Sequence, residues 1–295
     1  MSKKKFTPVV AMLNMKGGVG KTTLSANLFR RLYLNRQVSS LLIDMDPQFN
    51  LSQSLFRKAE YEALKKSRRT VSAIMEQGTT KAGLKVISSS HQSPPSSSEV
   101  IKLLKYIEDT DPRITLDIVP GDFDLVKFSL MEDSAKLKLA KERFQKFIDQ
   151  VKDEYGLVVL DCNPSSSFLT LCSLAACTHI VVPVRLDKYS VIGLEMLWEF
   201  VHNRLTLMPK PQFVVVINGA KRSKPTKAMV ETENELRGHN VFGSRTLANT
   251  MRETAQLKAR SDYTGFSLDR KTTISDTVRK EMDKLADELA DKLGL

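Results

Sequence analysis

The sequence predicts an α/β fold, a mostly parallel twisted sheet with helices on both faces, and three observations carry the prediction. Short β-branched and apolar runs alternate along the chain with stretches whose apolar residues recur every three or four positions. The first run, Val9-Val10-Ala11-Met12-Leu13, feeds a glycine-rich turn and then a helical pattern. Two later runs, apolar throughout, end in an aspartate, Asp44 and Asp161. Uninterrupted apolar runs of that length suit strands buried on both faces, as in parallel sheets.

Taken in chain order, the helix after the first strand is marked by Leu24, Leu28 and Leu32. Leu41-Leu42-Ile43 follows as a short buried strand. The stretch 57–69 is rich in lysine and arginine around Tyr61 and Leu64, which predicts a surface helix with a basic side. Residues 88–98, nearly all Ser, Pro, Gln and His, bury no apolar face and are expected as an exposed loop. Together they make 57–112 a variable excursion from a single domain spanning 1–295, the seat either of partner choice or of a tolerated surface insertion. Compact strands are expected at 114–119, 157–160, 180–183 and 213–217. Between and after them, Leu137, Ala140, Phe144, Phe147, Ile148 and Val151 form one helical stripe. Leu194, Leu197, Trp198, Val201 and Leu205 form a second, and Ile274, Val278, Met282, Leu285, Leu289 and Leu293 a third. Each strand–helix–strand unit is expected to be right-handed.

Composition narrows the class of protein. The chain has 295 residues, enough for a substantial core, and 45 basic against 34 acidic residues give a net charge of +11. A basic surface attracts phosphate backbones without regard to sequence, in a salt-dependent way. Cys162, Cys172 and Cys177 form an odd set without a C-x-x-C pair, which argues against a disulfide framework or a zinc site and for a reducing, cytoplasmic compartment. No apolar run reaches the roughly 20 residues of a spanning helix. Met1–Phe6 is read as a basic tail leading into the first strand rather than a signal peptide.

The chemistry is concentrated in Lys16-Gly17-Gly18-Val19-Gly20-Lys21-Thr22-Thr23. Glycines let successive backbone N–H groups turn inward around phosphate oxygens, and the helix that follows adds its own unpaired amides. In such a loop Lys21 reaches the β- and γ-phosphates, Thr22 places its hydroxyl on Mg²⁺, and Thr23 contacts the α-phosphate. The usual first glycine is replaced by Lys16 or Gly17, which makes this a variant of the pattern. Asp161, ionised at the end of an apolar strand, needs a partner, and Mg²⁺ is the proposed one, bound directly or through water.

At these residues the chain resembles the ParA/MinD family of deviant Walker ATPases, and most of all its ParA (Soj) branch of partition ATPases. KGGVGKTT, LLIDMDPQ, LDIVPGDFDL, YGLVVLDCNPS, VVPVRLDKYSVIGLEML and the stretch 242–255 occur in family order, and 60–112 is the least family-like part. The resemblance implies an ATPase with Mg²⁺, in which Gly17, Gly18, Val19, Gly20, Lys21, Thr22 and Thr23 hold ATP. It implies that Lys16 is the signature lysine that crosses a sandwich homodimer to the nucleotide of the other subunit. Asp46 would position or activate the attacking water, Asp44 would sit near the metal beside Thr22 and Asp161, and Asn218 would contact the adenine, although a strand-end Asn is also a good turn residue. One departure stands out: the family carries Cys-Pro-Pro after the Walker B aspartate, where this chain has Cys162-Asn163-Pro164. Losing a proline loosens the backbone at that point and is expected to alter the rate of hydrolysis.

The resemblance further implies that the ATP-bound dimer binds DNA non-specifically, in association with the nucleoid, and that a ParB-type centromere-binding adaptor stimulates hydrolysis. Candidate DNA contacts are Lys221, Arg222, Lys224, Arg245, Arg252, Lys258 and Arg260. Only eight residues precede the first strand, too few for a helix-turn-helix there, so operator-specific binding is not expected. Two rivals are weaker. A MinD-like membrane ATPase needs a basic amphipathic anchor, whereas 280–293 mixes acids and bases on its polar side and suits packing in the core. An iron–sulfur reductase needs exposed cysteines, whereas Cys162 is expected in the Walker B turn and Cys172 and Cys177 on a buried helix. A ParA-type ATPase that positions some other cargo stays open.

Overall fold

A computed structural model describes residues 6–77, 93–163, 165, 167–258 and 262–295. The strands are β1 (Val9–Met12), β2 (Ser40–Met45), β3 (Lys102–Tyr106), β4 (Thr115–Val119), β5 (Leu157–Cys162), β6 (His179–Val184), β7 (Gln212–Ala220) and β8 (Met251–Arg252). They form one sheet in the order β3-β4-β2-β5-β1-β6-β7-β8, parallel throughout except that β3 runs antiparallel to β4. The fold class read from the sequence is the one observed.

Eleven α-helices connect and cover the described strands: α1 (Lys21–Arg36), α2 (Asn50–Leu55), α3 (Lys58–Lys66), α4 (Val71–Met75), α5 (Ser97–Val100), α6 (Val126–Leu130), α7 (Ser134–Glu154), α8 (Phe168–Ala176), α9 (Ser190–Glu199), α10 (Lys227–Gly238) and α11 (Ser275–Leu293). Alternation along the strands sorts the core into two layers. Val9 and Ala11 of β1 pack with α4, α7, α8 and α9, while Val10 and Met12 pack with α1, α2, α3 and α11. Helix α11 closes the second layer: Val278, Met282, Leu285 and Leu289 are fully buried, each worth about 1.5–3 kcal/mol of transfer from water. Its polar side is tied to α1 by Arg31–Asp283 at 2.6 Å and Arg36–Asp291 at 2.6 Å, so its apolar face is spent in the core. No helix among the described residues is long and apolar enough to cross a membrane.

Three local readings change. The basic segment does form helix α3, with Tyr61 and Leu64 turned inward, but the low-complexity stretch is only partly a loop. Residues 88–92 lie outside the described residues, and after 93–96 the chain enters the one-turn helix α5, whose Glu99 carboxylate accepts from the Ser96 N–H at 2.7 Å. The excursion then ends in the antiparallel edge strand β3, which the sequence reading did not anticipate. The helical stripe ending at Leu205 breaks early: α9 stops at Glu199 and Phe200–Arg204 is a π turn, with Trp198 stacked on His202 at 3.7 Å between ring centres. Cys162 is the last residue of β5 and Cys177 follows the end of α8. All three cysteines are buried and free.

Candidate nucleotide site

The sheet order puts β1 at a topological switch point, with β5 on one side and β6 on the other, where parallel sheets bind ligands beyond the strand ends. Register makes the edge flush: Asp161 is the Cα partner of Met12 on β1 and of Asp44 on β2. The glycine-rich loop leaves β1 at this edge and turns into α1, whose N-cap is Gly20 with no side-chain cap. The first-turn amides are therefore left for an anion. Gly18 and Gly20 have φ of 73° and 93°, which disfavour any side chain. At Gly20 a Cβ would also lie 2.2 Å from the Asn218 amide nitrogen.

Loop residues Gly17, Gly18, Gly20, Lys21, Thr22 and Thr23 form one wall of a cavity of about 650 Å³. Asp46, Gln48 and Asn163 also line it, as do Leu257, Tyr263, Gly265 and Ser267 from the C-terminal part of the chain. That volume lies in the range of small-molecule and cofactor pockets. Val19, by contrast, is buried beneath the loop.

Lys21 is buried, and its Nζ donates to the carbonyls of Lys16 at 3.0 Å and Asn14 at 3.1 Å. Burial pulls its ammonium below the ordinary lysine range, against the attraction of Asp161 and Asp46. Asp161 is buried too, and burial pushes its carboxyl up to about 6, opposed by the Ser25 and Thr22 hydroxyls. Its Oδ1 accepts from Ser25 Oγ at 2.7 Å, while Oδ2 has no hydrogen-bond partner. An orphaned carboxylate oxygen beside a threonine hydroxyl and a phosphate-type loop fits a hard divalent cation such as Mg²⁺.

Asp44, expected near the metal, neighbours Asp161 but has protein donors on both carboxylate oxygens. It is fully buried, Oδ2 accepts from Ser52 N at 2.9 Å and Ser52 Oγ at 2.7 Å, and Oδ1 accepts from Asp46 N at 3.3 Å. Burial, and then the neighbouring Asp161 charge, push its carboxyl up to about 8. Asp44 thus stands behind the site as a brace for the loop that presents Asp46. The Asp46 carboxylate reaches the cavity, with Oδ1 accepting from Gln48 N at 2.9 Å and from Asn163 Nδ2 at 3.1 Å. Asn218 Nδ2 donates to the Val19 carbonyl at 2.7 Å, which ties the end of β7 to the glycine-rich loop.

Lys16 stands exposed at the lip, where its Nζ pairs with Asp187 Oδ2 at 2.5 Å. Asn14 braces this lip, accepting from Lys16 N at 2.9 Å and donating to the Pro183 carbonyl at 2.8 Å. Asn14, Ser25, Ser52, Asn163 and Asp187 were not singled out as site residues in the sequence. The available signal was position, since Asp187 lies just past an apolar strand, as Asp44 and Asp161 lie at the ends of theirs.

The basic candidates do not gather into one cluster. Arg222 is forked onto Glu281 at 2.8 and 2.9 Å, and Arg252 reaches the same carboxylate at 3.8 Å. Arg245 stacks over Trp198 at 4.9 Å, beside Gln212 and Phe213 at the opposite end of β7 from Lys221. Lys221, Lys224 and Lys258 are exposed, and Arg260 lies outside the described residues.

Fold and site together define a P-loop nucleotide-binding protein of the deviant Walker class, with a second lysine in front of the loop. A family model described as an AAA domain matches residues 7–208, and the chain belongs to that family, as a ParA/Soj-type member. It is 29% identical over 196 residues to the sporulation initiation inhibitor protein Soj of Bacillus subtilis, a match covering 64% of this chain and 62% of that protein. The matched stretch is thus less than two thirds of that relative's length. Among solved structures, it resembles a putative plasmid partition protein of Borrelia burgdorferi bound to AMPPNP (TM-score 0.66, 19% identity), covering 98% of this chain and 100% of that one. It also resembles pNOB8 ParA bound to nonspecific DNA (TM-score 0.66, 15% identity), covering 98% and 99%. At those identities the two structures speak for the fold alone.

Proposed function

We propose that this chain is a Mg²⁺-dependent partition ATPase: ATP closes a homodimer, the dimer binds DNA without sequence preference, and a ParB-type adaptor stimulates hydrolysis and release, in the cytoplasm on the nucleoid. The observation that carries the reading is that Lys21, Thr22 and Asp46 line one cavity, with the unpartnered oxygen of Asp161 buried beside them and Lys16 exposed next to the loop. Thr22 and Asp161 would hold Mg²⁺, which when bound neutralises charge on the β- and γ-phosphates. Loop amides and Lys21 orient the phosphates, and Asp46 accepts a hydrogen bond from the attacking water. Lys16 supplies a cation to the nucleotide of a second subunit, so the γ-phosphate becomes a dimerisation signal. A 28% identity over 197 residues to the chromosome-partitioning ATPase Soj of Treponema pallidum supports the partition half of the reading, and the net charge of +11 supports the DNA half.

The test measures dimer fraction and affinity for arbitrary duplex DNA with ATP and with ADP. ATP alone should raise both, and equal effects of ADP would refute the switch. Asp46→Ala should keep ATP binding and stop turnover; unchanged turnover would remove its role.

A further inference from the structure

We propose that Asn163, which stands where the family resemblance leads one to expect a proline, is a positioning residue that aims the Asp46 carboxylate, an inference that rests on the proposed role of Asp46. Asn163 Nδ2 donates to Asp46 Oδ1 at 3.1 Å, across 117 positions of sequence. The orientation of the amide is not arbitrary. Its other end, Oδ1, accepts from the Ser165 backbone N–H at 2.8 Å, so only the NH₂ end faces the aspartate. That acceptor bond closes an Asx turn just beyond β5, which stiffens the start of this loop by a hydrogen bond instead of a pyrrolidine ring. An asparagine here thus supplies both an acceptor for the turn and a donor that a proline would lack.

The consequence for Asp46 is geometric. Gln48 N and Asn163 Nδ2 both occupy Oδ1, from the aspartate's own loop and from the loop after β5. Two donors on one oxygen restrict rotation of the carboxylate and leave Oδ2 as the acceptor for water. Because Asn163 follows Cys162 at the end of β5, any shift of that strand end on nucleotide binding moves the donor with it. Asn163 thus couples the strand carrying Asp161 to the group that handles water.

Three substitutions separate donation from backbone stiffness. Asn163→Asp keeps the acceptor for Ser165 N and loses the donor; Asn163→Pro restores a ring and loses the donor; Asn163→Ala loses both. The full-length protein is assayed for steady-state ATP hydrolysis, for affinity toward a fluorescent ATP analogue, and for the lifetime of its ATP-induced dimer. The expected result is a fall in kcat of roughly tenfold in all three variants, largest for Asn163→Asp, with KM nearly unchanged. The ATP-state dimer should persist longer in proportion. If Asn163→Asp and Asn163→Pro keep the parent kcat, backbone stiffness alone matters and the inference is overturned; a rise in kcat overturns it equally. Retained binding of the analogue shows that a slow variant is folded. Asp46→Ala, run alongside, keeps two failures apart. Normal turnover in that variant removes the role of Asp46 itself, whereas lost turnover there with unaffected Asn163 variants removes only the positioning role.

Discussion

Lys21 and Arg222 both carry a positive charge, and the molecule treats them in opposite ways. Lys21 is buried at the start of α1, held by two carbonyls and drawn by two carboxylates. Arg222 lies at the surface with its fork closed on Glu281, and Arg245, offered on the same grounds of charge, is at the far end of β7 over Trp198. In the first region each group has one task and little redundancy. In the second, the exposed charges are spread over the surface and some are already neutralised.

The largest expected effect is that of Lys21→Ala. Losing a buried charge-assisted contact to phosphate should weaken ATP binding by at least about a hundredfold, measured with a fluorescent analogue. Retention of near-normal affinity would mean that the cavity is not the concentrated site described. Next comes Lys16→Ala, which should abolish ATP-dependent dimerisation in sedimentation experiments while leaving ATP affinity within roughly threefold, since in the proposed dimer the exposed amine serves the other subunit's nucleotide.

A smaller effect concerns pH. Asp44 holds its proton up to about 8, whereas an unfolded aspartate releases it near 4, so between those values the folded chain binds more protons. Its contribution is fully present at the acidic end and is lost as pH rises, by at most about 1.4 kcal/mol per unit. The nucleotide-free protein should therefore melt a few degrees lower at pH 8 than at pH 6. A melting temperature that rises over that interval would contradict the buried, proton-holding placement of Asp44.

The surface should respond least. Glu281→Gln frees Arg222 and Arg252 and should strengthen DNA binding a few-fold at low salt. Lys221→Ala should weaken it by a similarly small factor and flatten the salt dependence by about one unit of slope. Complete loss of DNA binding from Lys221→Ala would break the contrast, because it would make that surface as concentrated as the nucleotide cavity.

Much of the concentrated region was legible in the sequence, because its residues are contiguous and its chemistry demands glycine, lysine and threonine in order. The parallel strands were legible for a related reason: burial on both faces leaves runs such as Leu157–Leu160 without polar interruption. Edge strand β3 was not, since Lys102-Leu103-Leu104-Lys105-Tyr106 is half-exposed and pairs on one side only. Nor was the division among the acids. Asp44 and Asp161 look alike in sequence, but Ser52, contributed by α2, fills the Oδ2 of the first while the Oδ2 of the second has no partner. The Asn163–Asp46 and Lys16–Asp187 contacts span 117 and 171 positions, and such pairings are visible only once the strands are in register.

The Lys16–Asp187 pair has one more consequence. With side chains 44% and 35% exposed, such a contact is worth about 0–1 kcal/mol, an equilibrium factor of five or so at most. A lysine tethered that lightly spends an appreciable share of its time unbound even in the resting protein. In the proposed dimer, the threshold for pairing two subunits is then set by what the lysine gains on arrival, not by what it leaves behind, and added salt should lower the gain more than the parting.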